Sequence, residues 1–184
     1  TLWSPLRHWQ AGPGKRIAVM GMGGLGHMGI KLARALGAHV TVLSHSSSKR
    51  EDALRLGAEE FVITSDAASL KQLRGSFDLI LNTVSADLDI NEYLKLLRWN
   101  GTLVVLGLPG KPLVVHAGSL MDKRRTLSAS GIGGLRETQE MLDFCGQHNI
   151  VSDVEIITPA GINAAWARVV ASDVKYRFVI DIKA

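Results

Sequence analysis

Two hydrophobic patterns alternate along most of this chain. Short apolar runs without polar alternation, of the kind buried on both faces of a parallel sheet, are followed by stretches whose apolar residues recur at helical spacing. Ile17-Ala-Val-Met20 is the first run, and His39-Val-Thr-Val-Leu43, Glu60 to Thr64, Phe77 to Asn82, Thr102 to Gly107 and Leu127 to Ser130 follow as further strands. Between them, helices are predicted from Leu25, Met28, Leu32 and Leu36, over Asp52 to Leu56, over Ala67 to Leu73, and over Leu88 to Leu97 with a stop at Asn100-Gly101. Gly37 and Gly57 close the first two. Strands and helices in this alternation predict an α/β fold, a doubly wound parallel sheet in the order 3-2-1-4-5-6, over residues 1–134.

From Leu135 the pattern changes, which marks residues 135–184 as a helix and strand appendage. Leu135, Thr138, Leu142 and Cys145 fall along one helical stripe, so Cys145 reads as a packed core thiol. Thr158-Pro159 has the form of a helix start, and Ile162, Ala165, Trp166, Val169 and Val170 make the apolar stripe that follows. At the end, Tyr176, Phe178, Ile180 and Ile182 alternate with Lys175, Arg177, Asp181 and Lys183. Such alternation describes a strand with one wet face, expected to belong to a different sheet whose other strands are missing.

Chemistry concentrates after the first strand, in Gly21-Met-Gly23-Gly24-Leu25-Gly26. Gly21 permits a tight turn, Gly23 lets backbone N–H groups approach a pyrophosphate, and Gly26 allows the helix to pack closely on the strand. The helix that starts here directs its positive end at the loop, which suits an anion. A glycine turn without ligand and an S-adenosylmethionine site are the other readings of such a loop, but the latter has no pyrophosphate to hold. The second strand ends in Ser44-His45-Ser-Ser-Ser-Lys49-Arg50, with no Asp or Glu where a ribose-binding carboxylate is expected. A hydroxyl with Lys49, Arg50 and His45 nearby would take a 2′-phosphate, which points to NADP rather than NAD. The strand ends Asn82-Thr83-Val84, Leu106-Gly107-Leu108 and Ser130-Gly131-Ile132 then fall where the nicotinamide half should lie.

Composition narrows the classes. With 46% hydrophobic and 21% charged residues among 184, the chain reads as a globular domain with an appendage. No apolar run is long enough to cross a membrane, and a cytoplasmic setting is expected. Cys145 is the single cysteine, which excludes an internal disulfide and a cysteine-clustered zinc site. The net charge of +4 is modest, and Lys123-Arg124-Arg125 reads as a solvated face rather than a nucleic-acid patch. The opening is apolar, with Leu2, Leu6 and Trp9 on one face of a short helix, and it begins at Thr1 as though cut from a longer protein.

The glycine loop through Lys31, the segment Ser-Ser-Lys-Arg-Glu-Asp-Ala-Leu, the run Leu-Gly-Leu-Pro-Gly-Lys-Pro-Leu from Leu106 and the terminal Tyr-Arg-Phe-Val-Ile-Asp together resemble the medium-chain zinc alcohol dehydrogenases, in their cinnamyl alcohol dehydrogenase branch. The resemblance spans essentially the whole chain. It implies a Rossmann domain that binds NADP(H), with the positions of Ser44 and Lys49 on the 2′-phosphate and that of Thr1 near the nicotinamide. It also implies an absent N-terminal GroES-like domain, which residues 135–184 would complete. That domain would hold a zinc acting as a Lewis acid while hydride passes between cofactor and an alcohol or aldehyde. This chain alone would then have no catalytic residue, no metal and no activity. A homodimer through the cofactor-domain sheet, with Leu103 to Lys123 as its surface, is a further implication. A zinc-independent quinone or enoyl reductase on the same fold and a stand-alone nucleotide-binding module are the competing readings.

Overall fold

The computed structural model describes residues 1–183, so Ala184, the last residue of the appendage, lies outside the described residues. Six strands form one parallel sheet: β1 (Arg16–Met20), β2 (His39–Ser44), β3 (Glu60–Ile63), β4 (Phe77–Asn82), β5 (Leu97–Val105) and β6 (Thr126–Ala129). Their order is β3-β2-β1-β4-β5-β6, as the sequence pattern predicts. The helices are α1 (Trp3–His8), α2 (Gly26–Ala35), α3 (Arg50–Arg55), α4 (Ala67–Gln72), α5 (Ile90–Leu94), α6 (Ala117–Met121), α7 (Leu135–His148) and α8 (Ile162–Val170). Successive side chains of each strand point to opposite faces. Ile17 and Val19 therefore enter a core layer with Leu6, Ile30 and Leu56, while Ala18 and Met20 enter the layer built with Phe77, Ile90 and Leu94. Both layers are buried, which is why these strands lack polar alternation.

Several expectations change in the structure. The fourth predicted helix is confined to α5, because Asp89 Oδ1 accepts from the Asn91 N–H at 3.0 Å and starts the turn late. Asn100-Gly101 does not stop it: these residues lie inside β5, where Asn100 takes φ 59° and the register against β4 shifts between Phe77 and Leu79. Gly101 is required there, since a Cβ would sit 2.9 Å from the Phe77 carbonyl oxygen. The basic triplet is not all solvated. Arg125 is buried and donates to the carbonyls of Leu97 at 3.1 Å and Ser119 at 3.2 Å, tying the β6 entrance to β5.

The stripe of α7 is rotated from the predicted one. Met141, Phe144 and Cys145 face the core, with Phe144 4.8 Å from the Trp3 ring, whereas Leu135 and Leu142 are exposed. α1 meets α7 from Glu137, which accepts from Ser4 Oγ at 3.2 Å, to Phe144, and Leu135 and Leu142 lie off that face. Cys145 is buried, as expected, and burial pushes its thiol up. The terminal strand does have a partner: β8 (Phe178–Ile180) pairs in parallel with β7 (Glu155–Ile157) as a separate two-stranded sheet. On α8 only Ala165 is buried, and Trp166 and Val170 face outward. Among the described residues no helix is long and apolar enough to cross a membrane.

The appendage is fastened to the sheet domain at Asp153. Its carboxylate pairs with Lys31 on α2 and, at 2.7 Å, with Arg55 on α3. Lys31 also donates to the Val151 carbonyl at 2.7 Å. The Lys31 hydrogen bond, more than Arg55, holds the Asp153 carboxyl below the usual range against the opposing effect of burial. A lowered folded-state pKa means that the stabilisation is present above the ordinary carboxylate range and is lost as pH falls through the folded value. Asp153→Asn should cost about 1–3 kcal/mol at neutral pH. Thermal melts should show the gap from the unsubstituted protein narrowing as pH falls below the ordinary carboxylate range.

Candidate dinucleotide site

The strand ends are joined so as to open a crevice between β1 and β4. Thr83 N–H and Thr83 Oγ1 both donate to the Met20 carbonyl, at 3.0 and 2.8 Å. Asn82 is buried, and its carbonyl accepts from Leu106 and Gly107 N–H at 2.8 and 3.0 Å. Its Oδ1 accepts from Val84 N–H at 3.0 Å. β1 and β4 run parallel, but the strand order reverses between them, with earlier strands added on one side and later strands on the other, and this is the place where ligands bind in open α/β sheets.

The glycine loop lies over this crevice. Gly21 has φ 84°, and a Cβ on it would meet Thr83 Oγ1 at 2.9 Å. A Cβ on Gly26 would fall 2.0 Å from the Gly21 carbonyl oxygen, so only glycine lets α2 start this close to β1. Gly23 is different: a Cβ there meets nothing within 4 Å. The N–H groups of Gly23 and Gly24 donate to no protein acceptor among the described residues. Open space, free donors and the positive end of α2 form a cradle that fits a pyrophosphate.

A cavity of about 630 Å³ joins this loop to the end of β2. Gly21, Gly23, Gly24, Ser44, His45, Lys49 and Val84 all line it. Ser44 Oγ donates to the Ser46 carbonyl at 3.2 Å, and Ser46 caps a 3₁₀ turn over Ser47–Lys49 by accepting from Ser48 N–H. The serines are thus a cap as well as a cavity wall. Lys49 turns inward, donating to the Met22 carbonyl at 3.3 Å. Arg50 turns away and lies 5.0 Å from the Phe61 ring, so it is not part of the cavity. No carboxylate stands at the end of β2, where Ser44 is the last strand residue.

Other predicted residues lie apart. Thr1 and Leu25 line a second cavity of about 470 Å³ between α1, α2 and α7. Gly26 is buried under the loop, and Asn82 and Thr83 form the floor. Leu106, Gly107, Leu108, Ser130, Gly131 and Ile132 follow β5 and β6 along the same sheet edge; Leu108 and Ile132 are exposed. Gly107 comes close to the floor, since a Cβ on it would lie 2.2 Å from the Val84 carbonyl oxygen.

Sequence reasoning missed the contribution of the C-terminal appendage. Val169, Ser172, Val174 and Tyr176 line the main cavity, and Arg177 donates twice to the Gly24 carbonyl, at 2.8 and 3.2 Å. His27, fully buried in the first turn of α2, couples the same parts. Its Nδ1 lies 3.1 Å from the Gly23 carbonyl, and Asp153 N–H donates to its Nε2 at 3.3 Å, which assigns the neutral Nδ1–H tautomer. Burial lowers its pKa, consistent with that neutral ring. The terminal Tyr-Arg was legible only as part of a motif, with nothing in its spacing to direct it to the loop.

A doubly wound sheet with a glycine loop at its switch point defines a Rossmann-type cofactor domain. The comparisons agree. Residues 24–147 match the family described as zinc-binding dehydrogenase, and the chain belongs to that family. NADP-dependent alcohol dehydrogenase C 1 of Mycolicibacterium smegmatis is 61% identical over 98% of this chain and 52% of its own length. The cinnamyl alcohol dehydrogenase structure from Sorghum bicolor superposes with a TM-score of 0.97 at 41% identity, covering 100% of this chain and 53% of that one. The structure of the Helicobacter pylori enzyme complexed with NADP(H) gives 0.90 at 36% identity, covering 100% and 52%. The chain thus spans about half the length of the curated relatives it matches.

Two glycine substitutions should separate packing from ligand approach. Gly26→Ala should destabilise by about 1–3 kcal/mol, because backbone must move. Gly23→Ala should keep the melting temperature within the equivalent of about 0.5 kcal/mol, yet weaken dinucleotide binding at least about tenfold by filling the cradle. Melting curves and titration calorimetry read both.

Proposed function

We propose that this chain is the NADP(H)-binding half of an alcohol or aldehyde oxidoreductase. When bound, the cofactor supplies a hydride. The residues of this chain bind and orient it: the Gly21–Gly26 loop and the start of α2 receive the pyrophosphate, while Ser44, His45 and Lys49 receive the 2′-phosphate. The nicotinamide half runs toward Asn82-Thr83-Val84, Leu106-Gly107-Leu108, Ser130-Gly131-Ile132 and Thr1. Lys49 carries the reading: an inward ammonium in a cavity wall that lacks a carboxylate at the β2 end favours a phosphate over a free ribose hydroxyl. The NADP named in the relatives supports it.

The division into a cofactor domain over residues 1–134 and a segment over 135–184 that completes a catalytic domain belongs to the same proposal. The exposed stripe of α8 supports it. Among the described residues no three His, Cys, Asp or Glu side chains cluster to hold a metal. A zinc would need donors from outside this chain, and this chain alone is expected to be inactive. A cytoplasmic enzyme that dimerises through the sheet edge around Leu103 to Lys123 completes the reading.

Titration with NADPH and NADH at matched salt tests the binding claim. NADPH should bind more tightly, and Lys49→Ala should weaken it by about ten- to a hundredfold while leaving NADH unchanged, as expected for loss of a charge-assisted hydrogen bond. Equal binding of the two cofactors would contradict the 2′-phosphate assignment. For the whole enzyme, aldehyde-dependent NADPH oxidation that survives complete zinc removal would contradict the zinc-dependent activity.

A further inference from the structure

Tyr176 arrives at the cavity from the far end of the chain. It is 3% exposed, and its buried hydroxyl lies near the Asp52 carboxylate without a hydrogen bond of good geometry to it. Its ring makes two contacts with the site. His27 stacks on it, with centroids 4.9 Å apart and planes inclined by 17°, and the Lys49 ammonium lies 5.5 Å from the ring centroid. The His27 ring is itself held at both nitrogens, by Gly23 and by Asp153. Burial and the nearby Asp52 carboxylate push the Tyr176 phenol up, so the ring remains neutral. Asp52 is paired with Lys175 at 2.7 Å and with Arg55 at 3.4 Å, and among the described residues Lys49 forms no ion pair with a carboxylate.

A lysine on a 3₁₀ turn has a long, flexible stem and would lose affinity by sampling solvent. Two groups restrain it here, the Met22 carbonyl and the face of the Tyr176 ring. We propose that Tyr176 is a positioning residue for the 2′-phosphate subsite: its ring holds the Lys49 ammonium inside the cavity, so discrimination between NADP(H) and NAD(H) depends on the C-terminal segment as well as on the β2 end. The inference rests on the NADP(H) reading above. It makes specificity a property of two segments far apart in sequence, brought together by the fastening of the appendage at Asp153.

The test measures NADPH and NADH affinities for the unsubstituted protein, Lys49→Ala, Tyr176→Leu and Tyr176→Phe. Tyr176→Leu should reduce the NADPH-to-NADH affinity ratio by about three- to tenfold, the range of a partly desolvated cation–π contact. Tyr176→Phe keeps a ring and should stay within about twofold of the unsubstituted ratio. General loosening of a buried site would lower both affinities together and leave the ratio intact, so a ratio unmoved in Tyr176→Leu overturns the proposal, as does an equal loss in Tyr176→Phe. Tyr176→Met, unbranched and without an aromatic face, should lose as much as the leucine variant and replaces it if that variant does not fold. In the double variant Lys49→Ala/Tyr176→Leu the two losses should not add, because the ring acts through the ammonium. An unsubstituted protein with no preference for NADPH overturns the NADP(H) reading and this inference together. A preference that Lys49→Ala removes and Tyr176→Leu leaves intact overturns the inference alone.

Discussion

The close approach of two stretches of backbone sets the geometry of this domain. The Gly21 carbonyl and the Cα of Gly26 are so near that any side chain at Gly26 would overlap the oxygen. This contact lets α2 start directly above the end of β1 and pack Ile30 and Ala33 into the layer shared with Ile17 and Val19. It also aims the positive end of the helix at the crevice between β1 and β4. The requirements of packing and of anion binding meet in the same six residues. Gly26 serves the first, and the open face at Gly23 serves the second.

Around that contact the chain is held by fixed-partner interactions of long sequence separation. Asn82 alone organises the ends of β4 and β5 and the turn at Val84. On the other side of the loop, Lys31, Arg55 and His27 all converge on Asp153, and Arg177 returns to Gly24. These contacts make the appendage a wall of the main cavity. They also place Cys145 and Tyr176 in the same buried cluster as β1 and β2, although each is more than a hundred residues along the chain from them in a count of order.

Not every apolar pattern is used within the described residues. The stripe on α8 is amphipathic at helical spacing, yet only Ala165 is covered. On α7 the buried face is the one that meets α1 and the core, through Met141, Phe144 and Cys145, while Leu135 and Leu142 are left exposed. A periodic stripe states which face of a helix can be buried; what lies opposite decides how much of it is. The same distinction explains Asn100-Gly101. Those residues read locally as a stop signal, but tertiary pairing with β4 draws them into β5 as an irregular point of the strand.

The sequence by itself determined the sheet order, the helices on both faces, the glycine loop and the absence of a carboxylate at the β2 end. Each is encoded locally, by runs buried on two faces, by helical spacing, or by glycines whose backbone conformation or close contacts other residues cannot adopt. It also marked Ser44 and Lys49, because they stand at a fixed distance from that loop. Tertiary structure decided that Lys49 turns inward while Arg50 lies on Phe61, that Arg125 is buried, that β8 pairs with β7, and that Tyr176, Arg177 and His27 join at the loop. The physical reason is separation along the chain. Those contacts join residues whose neighbours in sequence share no periodicity with their neighbours in space, so they exist only once folding has brought separate segments together.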